Sequence, residues 1–210
     1  RFYRWTVTNT AEYKFNIAKK HDFTVLLGQE SMTSKTVAFG ANADGITDNR
    51  LSLMSAGATA TVPSHSISEE VRNSWFGMLN YSYADRYFLD LSIRRDGSSL
   101  FGENNRWATF GAAAAMWNIT KENFMNSTRN WLNDLQFKVS YGSTGNSGIS
   151  PYMALGLVAA GPLYNGQSGT AIANASNPDL TWETVKTFNL ALTGKVLNRV
   201  TFDLEYYDKT

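Results

Sequence analysis

The chain contains no cysteine, two histidines and no long hydrophobic run. Absent thiols exclude a disulfide framework and thiolate zinc sites, but they name no compartment. His21 falls in an expected turn and His65 in a polar loop, and neither has partners at ligand or triad spacing. No stretch approaches the roughly 18 apolar residues that a membrane helix needs. The longest weakly apolar run, MALGLVAAG from Met153 to Gly161, is about half that length. This excludes helical spans only, because β-barrel strands cross with alternating patterns that averaged hydropathy misses. A charge excess is missing too: 19 Lys and Arg stand against 18 Asp and Glu, a net of +1. No basic tract of the kind that grips phosphates occurs, so nucleic acid is not an expected partner. The chain opens at Arg1 without an initiator methionine or charged leader and stops at DLEYYDKT, in a strand pattern. A piece of a longer protein is therefore expected.

What is present is aromatic and alternating. Aromatics make up 13% of the residues, with six Trp and ten Tyr. Counting alternation gives about eight strand candidates. The first ends in AEYKFNI, where Tyr13, Phe15 and Ile17 oppose Glu12, Lys14 and Asn16. A turn at AKKHD leads to FTVLLGQES, extended through Val37, and a long polar segment follows from Ala38 to Glu70. The third strand is SWFGMLNYSYA and the fourth YFLDLSIRR, where Tyr87, Leu89, Leu91 and Ile93 oppose Asp90, Ser92 and Arg94. The loop DGSSLFGENN precedes a fifth strand from Arg106 to Ile119. A short helical turn is expected in TKENFMNSTRNWLND, then a sixth strand, LQFKVSYG, and a second long loop from Ser143 to Leu180. The last pair is WETVKTFNLALTG and RVTFDLEYYDK, joined near Leu197 and Asn198.

Two regularities emerge. One face of most strands is apolar or aromatic, while the other carries Glu12, Lys14, Asp90, Arg94, Lys138, Asp203 and Glu205. Connections also alternate, short then long. Long loops at one end, an apolar outside and a charged inside describe a transmembrane β-barrel. A soluble antiparallel sheet, with one face on a core and one in water, is the competing reading. A secreted carbohydrate-binding module would be its functional form. Two details favour the barrel. Trp75, Tyr81, Tyr83, Tyr87, Trp107, Trp117, Tyr141 and Tyr206 fall near expected strand ends, as membrane-interface girdles do. Unstructured loops of about 30 residues are also uncommon in compact soluble domains.

No enzyme chemistry is expected. GSTGNSG (Gly142 to Gly148) lacks the Lys and the helix of a phosphate-binding loop. In GANADGITDNRL the first ligand position is Gly40 and the closing one Leu51, which rejects an EF-hand and leaves only a looser calcium site through Asp44 and Asp48. SHS at Ser64 to Ser66 has no oxyanion element. Asp203 and Glu205 share a face, as a glycosidase pair would, yet that spacing is ordinary on any polar strand face. No cofactor or metal is expected.

The stretch YFLDLSIRRDGSSLFGENNRWATFGAAAAMWNIT (Tyr87 to Thr120) resembles the barrel of SusC/RagA-type TonB-linked outer-membrane transporters of Bacteroidota. The residues that carry the likeness are Arg95, Asp96, Gly97, Ser98 and Ser99, then Gly102, Asn104, Asn105, Arg106, Trp107 and Trp117. LQFKVSYGSTGNSGIS, NPDLTWETVKTFNLAL and VTFDLEYYDKT agree in order and spacing; GAAAAMW departs, with alanines where proline and serines are usual. Asp96-Gly97 is a strong turn dipeptide, with Gly97 free to take positive φ. Arg94 or Arg95 is expected to pair with Asp96, Glu103 or a neighbouring strand's carboxylate and so order the loop.

The resemblance implies an all-β fold: about eight strands of a larger antiparallel transmembrane barrel of roughly 22 strands, with long extracellular loops. Residues 1–210 would form part of one barrel domain, with plug and signal peptide outside them. It implies TonB-dependent uptake of a large nutrient, glycan or peptide, in the Gram-negative outer membrane. The implied partners are the TonB complex, a SusD-like surface lipoprotein and outer-membrane lipid. The charged face would line a lumen that is wet or plugged.

Overall fold

The computed structural model describes residues 1–60 and 62–210, in twelve strands and three single turns of 3-10 helix. The strands are β1 (Phe2–Ile17), β2 (His21–Gly40), β3 (Ala43–Asp44), β4 (Thr59–Ala60), β5 (Ser64–Tyr83), β6 (Tyr87–Ser98), β7 (Trp107–Asn118), β8 (Leu132–Asn146), β9 (Leu157–Tyr164), β10 (Gln167–Asn174), β11 (Glu183–Val196) and β12 (Val200–Lys209). Eight of them form one antiparallel sheet in the order β1-β2-β5-β6-β7-β8-β11-β12. The pairs β3/β4 and β9/β10 are small hairpins inside the two long loops. Every neighbour in the large sheet is also the next long strand along the chain, so the wall is a simple meander.

The sheet ends in tight turns on one side. Ala18 and Lys19, Ala84 and Asp85, and Leu197 and Asn198 each take positive φ, between 51° and 56°. Two successive left-handed residues match the right-handed twist of the flanking strands. That conformation costs an L-residue roughly 1–2 kcal/mol. The fourth link at this end runs through 3-10 turns at Ile119–Lys121 and Asn123–Met125.

Register fixes which side chains share a face. One row runs Phe15, Phe23, Tyr81, Leu89, Ala115, Val139, Leu190 and Tyr206 across all eight strands. The adjacent row near the tight turns is aromatic: His21, Tyr83, Tyr87, Trp117 and Phe137. His21 and Tyr83 lie 4.7 Å apart, and Tyr87 stacks on Trp117 at 6.4 Å. At the far end of the same face stand Trp5, Trp75 and Trp107. Ten residues of strand separate Tyr87 from the Gly97/Trp107 pair. At about 3.3 Å per residue and a tilt near 40°, that is roughly 25 Å, the height of the apolar band on a membrane barrel.

Three sequence expectations need correction. First, β2 and β5 each run 20 residues and stay paired up to Gly40↔Ser64. The first long loop is therefore 41–63, not Ala38 to Glu70. A barrel strand needs only about 9–11 residues to cross, so the extra length stands beyond the apolar band, where Val37, Phe39, Ile67 and Val71 are interrupted by polar residues and alternation fades. Second, the second long loop spans 147–182 rather than Ser143 to Leu180 and carries the β9/β10 hairpin. Third, Asp96-Gly97 is not a turn: it is strand, paired with Ser74 and Asn73 on one side and Ala108 and Trp107 on the other. Gly97 has no positive φ. A Cβ there would lie 2.8 Å from the Trp107 ring, so glycine serves to let the indole lie across the strand.

Candidate functional site: a polar wall and its clasped rim

The face opposite Tyr87 and Trp117 carries most of the charged and polar side chains, interspersed with Leu26, Phe76, Phe88, Phe110 and Met116. Register places all seven charged candidates on it. Lys14 aligns with Thr24, Asn80, Asp90, Ala114, Ser140 and Asn189. The next row holds Asp22, Ser82, Phe88, Met116, Lys138, Ala191 and Glu205. Glu12 is level with Leu26, Asp203 with Thr193, and Arg94 with Phe76 and Phe110. The sheet curves around this face to form two clefts, of about 510 and 470 Å³. The first contains Asp22, Asp90, Lys138 and Glu205; the second contains Glu30, Arg72, Arg94 and Asp96.

Charges here are mostly held by neighbours. Arg94 lies 2.6 Å from Asp96, 3.6 Å from Glu30 on β2, and donates to Ser74 Oγ at 3.0 Å. Its guanidinium also sits over the Phe76 ring. The expected partner of the arginine pair is thus found for Arg94. Arg95 is different: it points to the apolar face, over Trp107, with its centre 5.6 Å from that ring. Asn80 donates to Asp90, Thr193 to Asp203 at 3.2 Å, and Lys14 pairs with Glu12 at 2.9 Å. Asp48, the looser calcium candidate, is committed to Arg50, whose Nε reaches its two oxygens at 3.0 and 3.1 Å.

Among the described residues the least exposed side chains lie at the rim. Leu100 and Phe101 are 3% and 2% exposed, although they sit in a loop at the strand ends. Ser99 donates its N–H to Val71 O, and Ser99 Oγ accepts from Val71 N–H, both at 2.9 Å. This fastens the loop to β5. The other side docks on residues 177–182. Gly102 N–H donates to Leu180 O at 3.0 Å, and the Asn104 amide to Asp179 Oδ1 at 2.8 Å. The Asn105 amide donates to Asp179 O at 2.9 Å, and Phe101 packs on Trp182 at 4.4 Å. A Cβ on Gly102 would come within 1.9 Å of Pro178 O, so only glycine fits. The two stretches quoted above for their resemblance are therefore one physical unit. Sequence reasoning gave no sign of this, because nothing local links residues about 75 positions apart.

At the opposite end Glu122 gathers the short links. It accepts from Tyr87 Oη at 2.6 Å and Trp117 Nε1 at 3.2 Å, and pairs with Arg86 at 3.4 Å. The Tyr87 hydroxyl, then the Trp117 indole, hold its carboxyl below the usual glutamate range.

A wall of long antiparallel strands, largely apolar on one face between an aromatic row and a scatter of tryptophans at the far end, and charged on the other, defines a sector of a transmembrane β-barrel. Comparison with known proteins agrees. Over residues 1–210 the chain matches the family described as TonB dependent receptor-like, beta-barrel, and it belongs to that family. It is 36% identical over 98% of its length to TonB-dependent receptor P26 of Formosa agariphila. It is 31% identical over its whole length to TonB-dependent receptor SusC of Bacteroides thetaiotaomicron. The solved structure of the RagAB peptide transporter superposes with a TM-score of 0.89 at 37% identity, covering 99% of this chain and 23% of that one. The chain spans about a fifth of the length of the curated relatives it matches. The SusC/RagA-type resemblance and the antiparallel barrel fold are thus both supported by independent likenesses.

Proposed function

We propose that the complete protein imports a large nutrient across the Gram-negative outer membrane, driven through TonB, and that this chain forms part of its barrel wall. The observation that carries the reading is the two-faced sheet: a largely apolar band of about 25 Å outside, with aromatic side chains at both ends, and charges, most of them held by neighbours, inside. That surface fits lipid on one side and an aqueous or plugged lumen on the other. A soluble binding module would have to bury the apolar face, where Trp5, Leu27, Trp75 and Ile93 are all at least 60% exposed. Transport rather than catalysis is the proposed activity.

Loops 41–63 and 147–182 would face the outside, where a SusD-like lipoprotein would meet the barrel. Between glycan and peptide we favour peptide, because the RagAB likeness is with a peptide transporter. The test is growth of a strain deleted for the whole gene on defined peptides or oligosaccharides as sole source. Loss on peptides alone, restored by the intact gene and not by a copy unable to reach TonB, is the expected result. Loss on oligosaccharides alone would move the substrate to glycans. Unaltered growth and uptake of both would overturn the transport reading.

A further inference from the structure

On strands β2, β5, β6 and β7, from the Tyr87/Trp117 row to the Gly97/Trp107 pair, Arg95 is the only charged side chain on the apolar face among the described residues, and its one neighbour of note there is the Trp107 ring. Lys186 and Asp208 share that face on β11 and β12, away from this region. Arg95 aligns with Asn9, Gln29, Trp75 and Thr109, none of them acidic. It joins no ion pair among the described residues, while Arg94 beside it, on the opposite face, has two. An arginine among lipid tails is costly, and it persists where it finds a partner or reaches the interface. Arg95 stands level with Trp75 and one same-face pair from Trp107, among the tryptophans farther from the tight turns.

Below it the surface is hollow. Ala11, Leu27, Gly77 and Ile93 floor an open groove of about 600 Å³ whose rim includes Asn9, Gln29, Trp75 and Arg95. Gly77 keeps the floor low: a Cβ there would press on Leu27 Cδ2 at 3.3 Å and stand 3.8 Å from Ile93 Cγ2. An apolar trough running toward the bilayer centre from a guanidinium at the interface matches an anionic amphiphile. Its acyl chain would lie along Gly77 and its headgroup would reach Arg95. The planar guanidinium favours phosphate, which it can bind through two parallel N–H donors.

We propose that this face holds a phosphorylated lipid of the leaflet nearer the long loops, with the phosphate on Arg95 and one acyl chain in the groove over Gly77. The proposal rests on the membrane-barrel reading. It commits to a lipid rather than a free anion, because the groove is apolar and a free phosphate gains nothing from it.

The test uses the full-length transporter in nanodiscs of phosphatidylcholine, with or without one tenth phosphatidic acid, reading retained lipid by native mass spectrometry after detergent exchange. The intact protein should retain phosphatidic acid over phosphatidylcholine by more than its share in the disc, by roughly fivefold for one interfacial arginine. Arg95→Ala should erase that preference. Arg95→Lys should keep part of it, since an ammonium binds phosphate without the bidentate fit. Gly77→Val fills the groove while leaving the charge, and should lower retention of both lipids. Equal retention by intact protein and Arg95→Ala would overturn the site, as would displacement of the lipid by millimolar inorganic phosphate. Recovery of the full-length protein as a soluble species without detergent would overturn the membrane reading and the lipid site together. A membrane-bound protein with no preference would remove the lipid site alone.

Discussion

At the scale of single residues, two backbone demands decide what the chain tolerates. Gly102 has no room for a side chain against Pro178 O. Gly102→Ala should cost about 3 kcal/mol, the upper end of overpacking, or detach the loop altogether. A fall in the unfolding midpoint of the full-length protein in detergent, with faster proteolysis near residues 99–106, would show it. The tight turns point the other way. Asp85 has φ +54°, so Asp85→Gly should stabilise by about 1 kcal/mol, read as a higher midpoint in the same experiment. Unchanged stability would mean that side-chain contacts there offset the strain. Gly97 shows why such positions mislead a sequence reader. Asp-Gly is a turn signal almost everywhere, but here the glycine answers a ring from the next strand, which no local pattern records.

At the scale of elements, alternation was a faithful guide only where one face meets an apolar medium. The eight long strands, their order and the seven charged positions on one face were legible for that reason. The upper parts of β2 and β5 and the β9/β10 hairpin were not, since isolated apolar residues such as Phe39, Ile67, Val158 and Ile172 among small and polar ones leave no sustained period. Contacts between elements were equally hidden, above all the clasp of 99–106 on 177–182. Trp182 is its half-buried anchor. Trp182→Ala should cost roughly 2 kcal/mol, below the 3–5 of a fully buried aromatic. It should open loop 147–182 to protease before the barrel unfolds; simultaneous loss of loop and barrel would contradict a local clasp. The Glu122 cluster makes a pH prediction for the other end. Its carboxyl pKa is lowered by hydrogen bonds in the folded state. Its contribution is therefore complete above the ordinary glutamate value, near 4.3, and is lost as pH falls through the lowered pKa. Glu122→Gln should unfold more easily than the intact protein at pH 7, and the difference should shrink below about pH 4. A gap that persists in acid would mean that the side chain acts by shape rather than charge.

At the scale of the whole molecule, the sheet is an arc with two open edges, β1 and β12. Roughly half the backbone donors and acceptors of β1 face no partner strand, and an edge of 16 residues is long enough to template pairing with another chain. The outward rows expose Trp5 at 76%, Tyr13 at 69% and Leu204 at 64%, a continuous apolar surface far beyond what a monomer in water keeps. The interior offers no compensation: among the described residues only Leu100, Phe101, Phe110, Leu132 and Ala154 are buried apolar side chains, too few to form a core for 210 residues. Stability must come from closure with further strands and from lipid. Residues 1–210 expressed alone should therefore aggregate in water and recover strand content only in detergent or lipid, whereas the full-length protein should fold as a barrel in either. The check is sedimentation and far-ultraviolet circular dichroism of the isolated chain with and without micelles. A soluble monomer that unfolds cooperatively without detergent would show that the apolar rows find a partner within the chain itself, and would return the soluble sheet to first place.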